Sequence, residues 1–455
     1  MELDLSKIKN VHFIGIGGIG ISAVARMMKI MGKNVSGQDM QDGEIVKELQ
    51  KLGIEINIGH QSYDNIPSDT ELVVYTVAIE TYDKALFDKI KSSEIKYSEV
   101  GLPNIGGFFV KSYPEMLGII SEDKYTIAVC GTHGKTTTTG MISQILIDNK
   151  KDPTVIVGSL LKGRTNFIKG ESDLFVVEAC EYRRSFLNIN PKVLVITNIE
   201  EDHLDYYKDI EDIKSAFHEL VMKVPSDGFV ICNPDDKNIS EVIDGSNAKI
   251  INWHEYFDNN LKLKIPGNHN KKDAAAALAV ADILGIRIDD SQNSLKEFLG
   301  TWKRFEFRGR LKNGVLLYDD YAHHPTEIMA TLEGFRELYP KNEGWKLTVV
   351  FQPHLFSRTK LLLTDFAKSF TQVDEVIILP IYYAREDDDG SISSVILSNE
   401  INNNTHNSKS FVDFQSVENY LEAKLLSEGK KEIIITMGAG EASKIGDFLL
   451  FNNNL

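Results

Sequence analysis

Along this chain, short apolar runs alternate with longer stretches in which apolar residues recur every three or four positions. The short runs predict buried strands, and the longer stretches predict amphipathic helices. Regular alternation of the two is typical of α/β folds built on parallel sheets, in which helices connect neighbouring strands. The predicted strands are residues 11–14, 34–39, 72–75, 125–130, 174–177, 193–196, 315–318, 347–351, 375–379 and 432–436.

The pattern divides into three units, in keeping with a length of 455 residues and about 150 residues per domain. A glycine-rich stretch at 101–107 follows the first group of strands, and a new strand pattern starts soon after Arg308. We therefore predict three α/β domains. These are a Rossmann-like domain over 1–108, a central domain over 109–307 with a mostly parallel sheet of the P-loop ATPase type, and a Rossmann-like domain over 308–455.

Composition narrows the class of protein. With 42% hydrophobic and 25% charged residues, the chain is an ordinary globular protein and not a disordered or fibrous one. Its net charge of −16 argues against nucleic acid and anionic membranes as partners. Its three scattered cysteines exclude a disulfide scaffold and indicate a reducing compartment. We see no targeting signal and no apolar stretch long enough to cross a bilayer, so we expect a cytoplasmic protein.

The clearest chemical signal is a glycine-rich turn between the strand at 125–130 and a helical pattern. The turn consists of Gly131, Thr132, His133, Gly134, Lys135, Thr136 and Thr137. The N–H groups of such a turn and the start of the following helix together bind phosphate oxygens. Lys135 would neutralise the β- and γ-phosphates of ATP, and the Thr136 hydroxyl would ligate Mg²⁺. The turn is a short variant, because Val129 stands where the usual pattern has its first glycine.

Two further polar residues follow predicted strands of the same unit. Glu178 ends the strand at 174–177, and His203 comes soon after the strand at 193–196. In open parallel sheets, ligands bind at the carboxyl ends of the strands. A carboxylate and an imidazole placed there can hold a second Mg²⁺ or orient a phosphate during its transfer.

A second glycine-rich turn lies near the start of the chain, after the strand at 11–14. Gly15, Gly17 and Gly20 match the spacing of the dinucleotide-binding fingerprint, and Asp39 supplies its acidic residue about twenty positions later. The backbone of such a loop is suited to any diphosphate. NAD, FAD and a nucleoside-diphosphate substrate all remain open at this point.

The third unit carries a strand-to-helix loop at 319–327 that contains two aspartates and two histidines. A contact with substrate or phosphate fits this loop better than a zinc site, because its threonine and glutamate are typical of a first helical turn. Arg358, beyond the strand at 347–351, could bind a carboxylate through two guanidinium nitrogens. Asn270, at a predicted helix start, could bind an adenine edge.

Taken in order, these segments resemble those of the Mur ligases of peptidoglycan synthesis. The segments that carry the resemblance are 11–22, 131–139, 197–205, 266–270, 319–327, 351–359 and 437–440. The resemblance extends over nearly the whole chain, and 131–139 and 319–327 are its most specific parts. It implies three domains: the first binds a UDP-sugar, the second binds ATP, and the third closes over ATP and an amino acid.

The resemblance is greatest to the branch of the family that adds L-alanine to UDP-N-acetylmuramate. It implies that ATP phosphorylates the lactyl carboxylate of the sugar and that the amine of L-alanine then attacks the acyl phosphate. The implied cofactors are ATP and Mg²⁺, and the implied partners are UDP-N-acetylmuramate and L-alanine. We expect a monomer or a weak homodimer.

The resemblance also assigns residues to these ligands. It implies that ATP is bound by loop 131–137 and by Asn270, Arg304 and Asp320. It implies that the UDP-sugar is bound by Gly15, Gly17, Gly18, Gly20, Asp39, His60 and His323. The implied amino-acid-binding residues are His354 and Arg358. The implied catalytic residues are Lys135, Glu178, His203 and His324, and the implied Mg²⁺ ligands are Thr136, Glu178 and His203.

The chain departs from the common family pattern in three places, one of which is Lys303, where an arginine usually precedes Arg304. After Glu178 it continues with Ala179, Cys180, Glu181, Tyr182, Arg183 and Arg184, and Asp273 stands where an asparagine is usual. Three other functions stay open. The first is a ligase that adds a tripeptide to the same sugar, although segment 351–359 favours the alanine-adding branch. The others are an NAD-dependent dehydrogenase, which would leave loop 131–137 unused, and a nucleotide sensor, which would need neither Glu178 nor His203.

Overall fold

The computed structural model describes residues 3–94, 107–161, 165–383, 386–427 and 431–454. Three β-sheets follow one another along the chain, and helices connect most of their strands. The glycine-rich stretch at which we placed the first domain boundary lies outside the described residues, apart from Gly107.

The first sheet has five parallel strands in the order β3-β2-β1-β4-β5. Its elements are β1 (Asn10–Ile14), α1 (Ile19–Ile30), β2 (Asn34–Asp39), α2 (Glu44–Lys51), β3 (Glu55–Ile58), β4 (Leu72–Tyr75), α3 (Ile79–Tyr82), α4 (Lys84–Ser92) and β5 (Phe109–Ser112). The central strand β1 buries Phe13 and Ile14 completely and leads directly into the first glycine loop. Strand β5 belongs to this sheet, so the sheet extends 4 residues past the boundary expected at 108.

The second sheet has seven strands in the order β12-β11-β10-β6-β9-β7-β8. The elements of this region are α5 (Tyr113–Ser121), β6 (Tyr125–Cys130), α6 (Lys135–Asp148), β7 (Thr154–Leu161), β8 (Thr165–Ile168), β9 (Leu174–Glu178), β10 (Val193–Ile196), α7 (Ile210–Met222), β11 (Phe229–Cys232), α8 (Lys237–Ile243), β12 (Lys249–Asn252), α9 (Asn268–Ile283) and α10 (Ile288–Lys296). Only the edge pair β7–β8 is antiparallel in this sheet as described. Strand β6 lies between β10 and β9, so the residues that follow these two strands flank the second glycine loop.

The third sheet has six strands in the order β13-β14-β18-β15-β16-β17. Its elements are β13 (Glu306–Arg310), β14 (Leu316–Asp320), α11 (Pro325–Leu338), β15 (Lys346–Phe351), α12 (Phe356–Leu361), α13 (Leu363–Ser369), β16 (Glu375–Ile378), α14 (Ser394–Asn404), β17 (Ser408–Ser410), α15 (Phe414–Ser427), β18 (Glu432–Met437) and α16 (Ser443–Asn454). The strands β14 and β18 carry alternating side chains into two apolar clusters, one on each face. Tyr318 and Ile435 belong to one cluster, and Leu317 and Ile434 belong to the other.

The residues form two compact units. The first unit consists of Met1–Asp258 and Lys272–Leu295, and the second unit consists of Asn259–Lys271 and Lys296–Leu455. The first two sheets lie in the first unit and the third sheet in the second. The predicted α/β class, with three mostly parallel sheets, is confirmed. Among the described residues, no helix combines the length and the apolar character that a bilayer span requires.

Within the first unit, helix α1 packs against the hairpin of β7 and β8. The side chain of Asn166, which is fully buried on β8, donates a hydrogen bond of 2.8 Å to Ser22 Oγ on α1. This contact joins the helix that follows the first glycine loop to the sheet that carries the second one.

Candidate active site

The turn between β6 and α6 is a tight loop that requires glycine at two positions. Gly131 and Gly134 have φ values of +134° and +81°, in the region that other residues rarely adopt. A Cβ atom at Gly131 would lie 2.0 Å from Thr197 Oγ1, and one at Gly134 would lie 2.5 Å from Asp273 Oδ1. The predicted tight turn is therefore present, and the side chains of Thr197 and Asp273 lie close to its backbone.

Residues that follow strand β10 hold this loop in shape. The side chain of Asn198 accepts a hydrogen bond from His133 N and donates one to His133 O, each at 3.0 Å. The backbone N–H of Glu200 donates to Thr132 Oγ1 at 2.8 Å. Segment 197–205, which contains Asn198, carries part of the family resemblance, but its contact with the loop was not predicted from the sequence.

Lys135 begins helix α6 and folds back over the loop. Its ammonium donates to Gly131 O at 2.5 Å and to Thr132 O at 3.0 Å, and it lies 2.9 Å from Glu181 Oε2. Burial alone would lower the pKa of Lys135, but the charge and the hydrogen bond of Glu181, together with the charge of Glu178 and other nearby groups, outweigh burial and hold this pKa above its ordinary value. The loop therefore presents a permanent positive charge where a phosphate would bind.

Thr136 and Glu178 lie side by side, as expected of two ligands of one cation. The Thr136 hydroxyl donates to Glu178 Oε1 at 3.0 Å, and the backbone N–H of Gly158 donates to Glu178 Oε2 at 2.8 Å. Glu178 ends strand β9, next to β6 in the sheet. A hydroxyl and a carboxylate oxygen are ligands that Mg²⁺ accepts, so this pair fits the predicted metal.

His203 contacts a different carboxylate. Its Nε2 lies 3.4 Å from Glu181 Oε1, and its ring centroid is 4.8 Å from that of Tyr182. Glu178 and His203 thus have separate partners, and Glu181 links His203 to Lys135. We did not predict Glu181 as a site residue. The available signal was its position three residues after Glu178, just beyond a buried strand.

The first glycine loop is organised around Asp39. This carboxylate accepts hydrogen bonds from Gly17 N at 2.8 Å and from Gln41 N at 3.1 Å. A Cβ atom at Gly20 would lie 2.7 Å from the ring of Tyr113, so close packing also requires glycine there. Both carboxylate oxygens of Asp39 accept hydrogen bonds from backbone N–H groups. The expected contact of Asp39 with the UDP-sugar stays a prediction.

Two other residues expected to bind the sugar nucleotide lie close to this loop. Gly18 is the N-cap residue of α1. Its backbone is extended, and no side chain forms a capping hydrogen bond there. His60 follows strand β3 and is exposed. Because β3 pairs with β2, His60 lies just beyond the end of one strand and Asp39 ends its neighbour.

In the second unit, Asp320 joins two backbone segments. Its carboxylate accepts hydrogen bonds from Phe305 N at 2.7 Å and from Ala322 N at 2.9 Å. Burial raises the pKa of Asp320 to about 6. The contact of Asp320 with ATP stays a prediction, and the observed hydrogen bonds show that this side chain shapes the loop at 319–327.

Glu327 contacts two of the predicted residues, Arg304 and His323, at the same loop. Its carboxylate lies 3.4 Å from Arg304 Nη1 and accepts a hydrogen bond of 3.1 Å from His323 N. The ring of His323 is 6.1 Å from that of His354 at a steep angle. Arg304, His323 and His354 therefore form one group at the carboxyl ends of β14 and β15.

The remaining predicted residues lie at helix starts of the second unit. His324 Nδ1 accepts a hydrogen bond of 3.4 Å from Thr326 N and so caps helix α11. Asn270, in the first turn of α9, donates to Pro266 O at 2.5 Å. Arg358 lies on the short helix α12, which follows β15. Their assignments to ATP, catalysis and the amino acid stay predictions.

Comparison with known proteins defines the class to which this fold and loop belong. Three Mur ligase family models match successive parts of the chain: the Mur ligase family catalytic domain at 10–125, the middle domain at 129–259 and the glutamate ligase domain at 303–440. The chain belongs to the Mur ligase family, whose members are ATP-dependent ligases. The family, the enzyme class and the need for ATP predicted from the sequence are confirmed.

Full-length relatives make the comparison more specific. The chain is 41% identical to a UDP-N-acetylmuramate–L-alanine ligase of Clostridium acetobutylicum, and the match covers 99% of this chain and 100% of the relative. It is 39% identical to the ligase of the same name from Clostridium kluyveri, with the same coverage. The crystal structure of UDP-N-acetylmuramate–alanine ligase from Thermotoga maritima is similar with a TM-score of 0.77 at 26% identity, covering 98% of this chain and 99% of that one.

A murein peptide ligase from Psychrobacter arcticus shares the fold, with a TM-score of 0.68 at 22% identity. The similarity covers 97% of this chain and 98% of that one. This second structure supports the architecture and leaves the choice of amino substrate to other observations.

Proposed function

We propose that this chain joins L-alanine to the lactyl carboxylate of UDP-N-acetylmuramate at the expense of ATP, in the synthesis of peptidoglycan precursors. The observation that carries the proposal is the phosphate loop with Lys135, Thr136 and Glu178 assembled around it. It occurs in a chain that matches relatives named for this ligation over their full length.

The reaction needs ATP because a carboxylate is a poor electrophile. Transfer of the γ-phosphoryl group to a lactyl oxygen forms an acyl phosphate and ADP. The amine of L-alanine then attacks the acyl carbon, an amide bond forms, the proton of the amine is lost, and inorganic phosphate leaves. Phosphoryl transfer requires positioning and charge neutralisation more than covalent help. Lys135 supplies positive charge at the loop, and the backbone N–H groups at the start of α6 face the same region.

Magnesium fits the pair of Thr136 and Glu178, with His203 as the third predicted ligand. When bound, the ion would neutralise charge on the phosphate oxygens of ATP. Gly158 N, by its hydrogen bond to Glu178 Oε2, holds the carboxylate with its other oxygen toward Thr136. The oxygen donors of Thr136 and Glu178 support the choice of Mg²⁺ over a softer metal.

We assign the other substrates to the remaining domains. Residues 1–108 would bind the sugar nucleotide through the loop at 15–20, and 308–455 would bind the amino acid. Arg358 and His354 are the groups proposed for L-alanine, since a guanidinium can bind its carboxylate at two points. Asn270, Arg304 and Asp320 are proposed to contact ATP.

The test is phosphate release from ATP with UDP-N-acetylmuramate and each amino acid in turn. We expect release to depend on both the sugar nucleotide and the amino acid, with L-alanine preferred. Release with the tripeptide L-Ala-γ-D-Glu-diaminopimelate but not with L-alanine would assign the chain to the tripeptide-adding ligases instead. Binding of a nicotinamide cofactor without ATP turnover would contradict both assignments.

A further inference from the structure

Glu181 occupies an unusual place for a carboxylate. It is 3% exposed and lies beside the loop that is expected to receive the negatively charged phosphates of ATP. Its two oxygens lie 2.9 Å and 3.0 Å from Lys135 Nζ, and Oε1 is also 3.4 Å from His203 Nε2. A buried negative charge at this position opposes an incoming anion, so its presence calls for a compensating role.

The ammonium of Lys135 has its three N–H groups directed at three acceptors, Gly131 O, Thr132 O and the Glu181 carboxylate. An ammonium has three donors. A phosphate oxygen can therefore bind Lys135 only by replacing or sharing one of these acceptors. Of the three, Glu181 is the one whose negative charge is repelled by phosphate, and it retains His203 as a second partner.

The backbone around Glu181 is held by contacts on both sides. The Tyr207 hydroxyl donates to Glu181 O at 2.5 Å. Arg183 and Arg184, which follow, have φ values of +53° and +56°, a left-handed conformation that is strained for residues other than glycine. Side-chain contacts hold both arginines: Arg184 lies 2.7 Å from an Asp212 oxygen, and Arg183 Nη1 donates a hydrogen bond of 3.2 Å to Val77 O.

We propose that Glu181 is a positioning residue that holds Lys135 and His203 in place before ATP arrives and that yields Lys135 to the phosphates when ATP binds. This inference rests on the proposed ligase function and gives a role to a residue that was not among the predicted site residues. In this arrangement, part of the binding energy between Lys135 and ATP is used to displace Glu181. In return, Lys135 and His203 are already positioned when the phosphoryl group is transferred.

This role predicts opposite effects on binding and turnover. Replacing the carboxylate with an amide, as in Glu181→Gln, removes the charge that competes with phosphate, so ATP should bind about three- to tenfold more tightly. The same change removes the ion pair that positions Lys135 and His203, so kcat should fall by about tenfold or more. A residue that only stabilises the fold would weaken binding or leave it unchanged.

The experiment measures the Kd of ATP in EDTA by calorimetry, together with kcat and the KM for ATP in the full reaction. Glu181→Gln is compared with Glu181→Asp, which keeps the charge but withdraws it by one methylene group. We expect Glu181→Asp to retain the wild-type Kd and to lose at least about fivefold in kcat, because the charge is kept and the contact distances are not. The control is Glu432→Gln, which removes another buried carboxylate paired with a lysine, Lys424, in the third sheet. Its Kd should equal that of the wild type.

A Glu181→Gln protein that binds Mg²⁺-free ATP no more tightly than the wild type, or that turns over within threefold of it, overturns the inference. If thermal unfolding shows that Glu181→Gln does not fold, Glu181→Asp decides, and a kcat within twofold of the wild type is then the contrary result. Failure of the proposed ligase function would give a different result from failure of the role proposed for Glu181. The wild type would then bind ATP and release no phosphate with any substrate pair, while the Kd comparison between variants would still decide the role of Glu181.

Discussion

The two glycine loops of this protein have the same local plan and different chemistry. Each connects the carboxyl end of a parallel strand to a helix, β1 to α1 and β6 to α6, and neither helix has a side-chain cap bond. In the first loop, Asp39 from the neighbouring strand accepts the Gly17 N–H. In the second, Lys135 is part of the loop and lies over the carbonyls of Gly131 and Thr132.

This difference shows that glycine spacing specifies a tight backbone and not a ligand. Both loops contain glycines whose Cβ atoms would collide with neighbouring segments. What distinguishes them is the charge that adjacent residues add, negative from Asp39 in one and positive from Lys135 in the other. The second loop is therefore suited to the triphosphate of ATP. The first can offer a diphosphate only its backbone and the start of α1.

The largest expected effect comes from removing the charge that sets the second loop apart. Lys135→Ala should lower kcat/KM for ATP by about a thousandfold or more, because the charge developing on the γ-phosphate would lack its cation. Steady-state phosphate release measures the effect. Lys169→Ala, which removes an exposed lysine from the same region, is the control and should retain full activity. Turnover of Lys135→Ala within tenfold of the wild type would contradict the assignment of this loop.

The next effect tests the backbone of the second loop. Gly131→Ala should reduce the free energy of unfolding by about 4 kcal/mol, because φ is +134° and the new Cβ would lie 2.0 Å from Thr197 Oγ1. Gly32→Ala is the matched control, since φ is +83° there but nothing lies within 4 Å of the new Cβ. It should cost about 1 kcal/mol. Equal losses in urea denaturation would show that close packing does not constrain Gly131.

A third prediction concerns β1 and β6, the strands that lead into the two loops, which should differ in how much they make stability depend on pH. His12, on β1, is buried with its Nδ1 2.8 Å from Ser36 Oγ, and burial lowers its pKa to about 4. Because the unfolded chain takes up a proton near pH 6.5 and the folded chain does not, stability is full above pH 6.5 and is lost as the pH falls toward 4. The loss reaches about 3 kcal/mol at pH 4.

Urea denaturation of the wild type and of His12→Asn at several pH values measures this loss. The stability difference between the two proteins should shift by about 3 kcal/mol in favour of the variant between pH 7 and pH 4. Strand β6, which leads into the second loop, contains no histidine and should make no such contribution. Parallel pH profiles for the two proteins would show that His12 is not the source of acid sensitivity.

The smallest expected effect concerns the first loop. Asp39→Asn weakens the hydrogen bond to Gly17 N by about 1 kcal/mol, so the KM for the sugar nucleotide should rise about fivefold. The Kd of ATP should not change, because Asp39 contacts the first loop and not the second. A change in ATP binding as large as that in sugar-nucleotide binding would show that the two loops are not chemically separate.

Local pattern predicted ten of the eighteen strands that the structure describes, and it missed β3, β5, β7, β8, β11, β12, β13 and β17. Strands β4, β6 and β10 have the predicted bounds, and the turn that contains Lys135 and Thr136 lies where it was predicted, while the roles of these two residues stay predictions. The hairpin of β7 and β8 was missed, because its strands pair antiparallel at a sheet edge and do not fit a repeating strand–helix pattern. Glu181 and Asn198 were missed because their partners are 46 and 65 residues away along the chain.

The sequence by itself determined the alternation of strands and helices, the two tight turns and the cation of the phosphate loop, because each depends on residues within a few positions of one another. Only the tertiary structure decided what surrounds those turns. Sheet order places β9 and β10 on either side of β6, and this brings Glu178 to Thr136 and Asn198 to His133. Strand order is a property of the whole packed sheet, so no local pattern could specify these contacts.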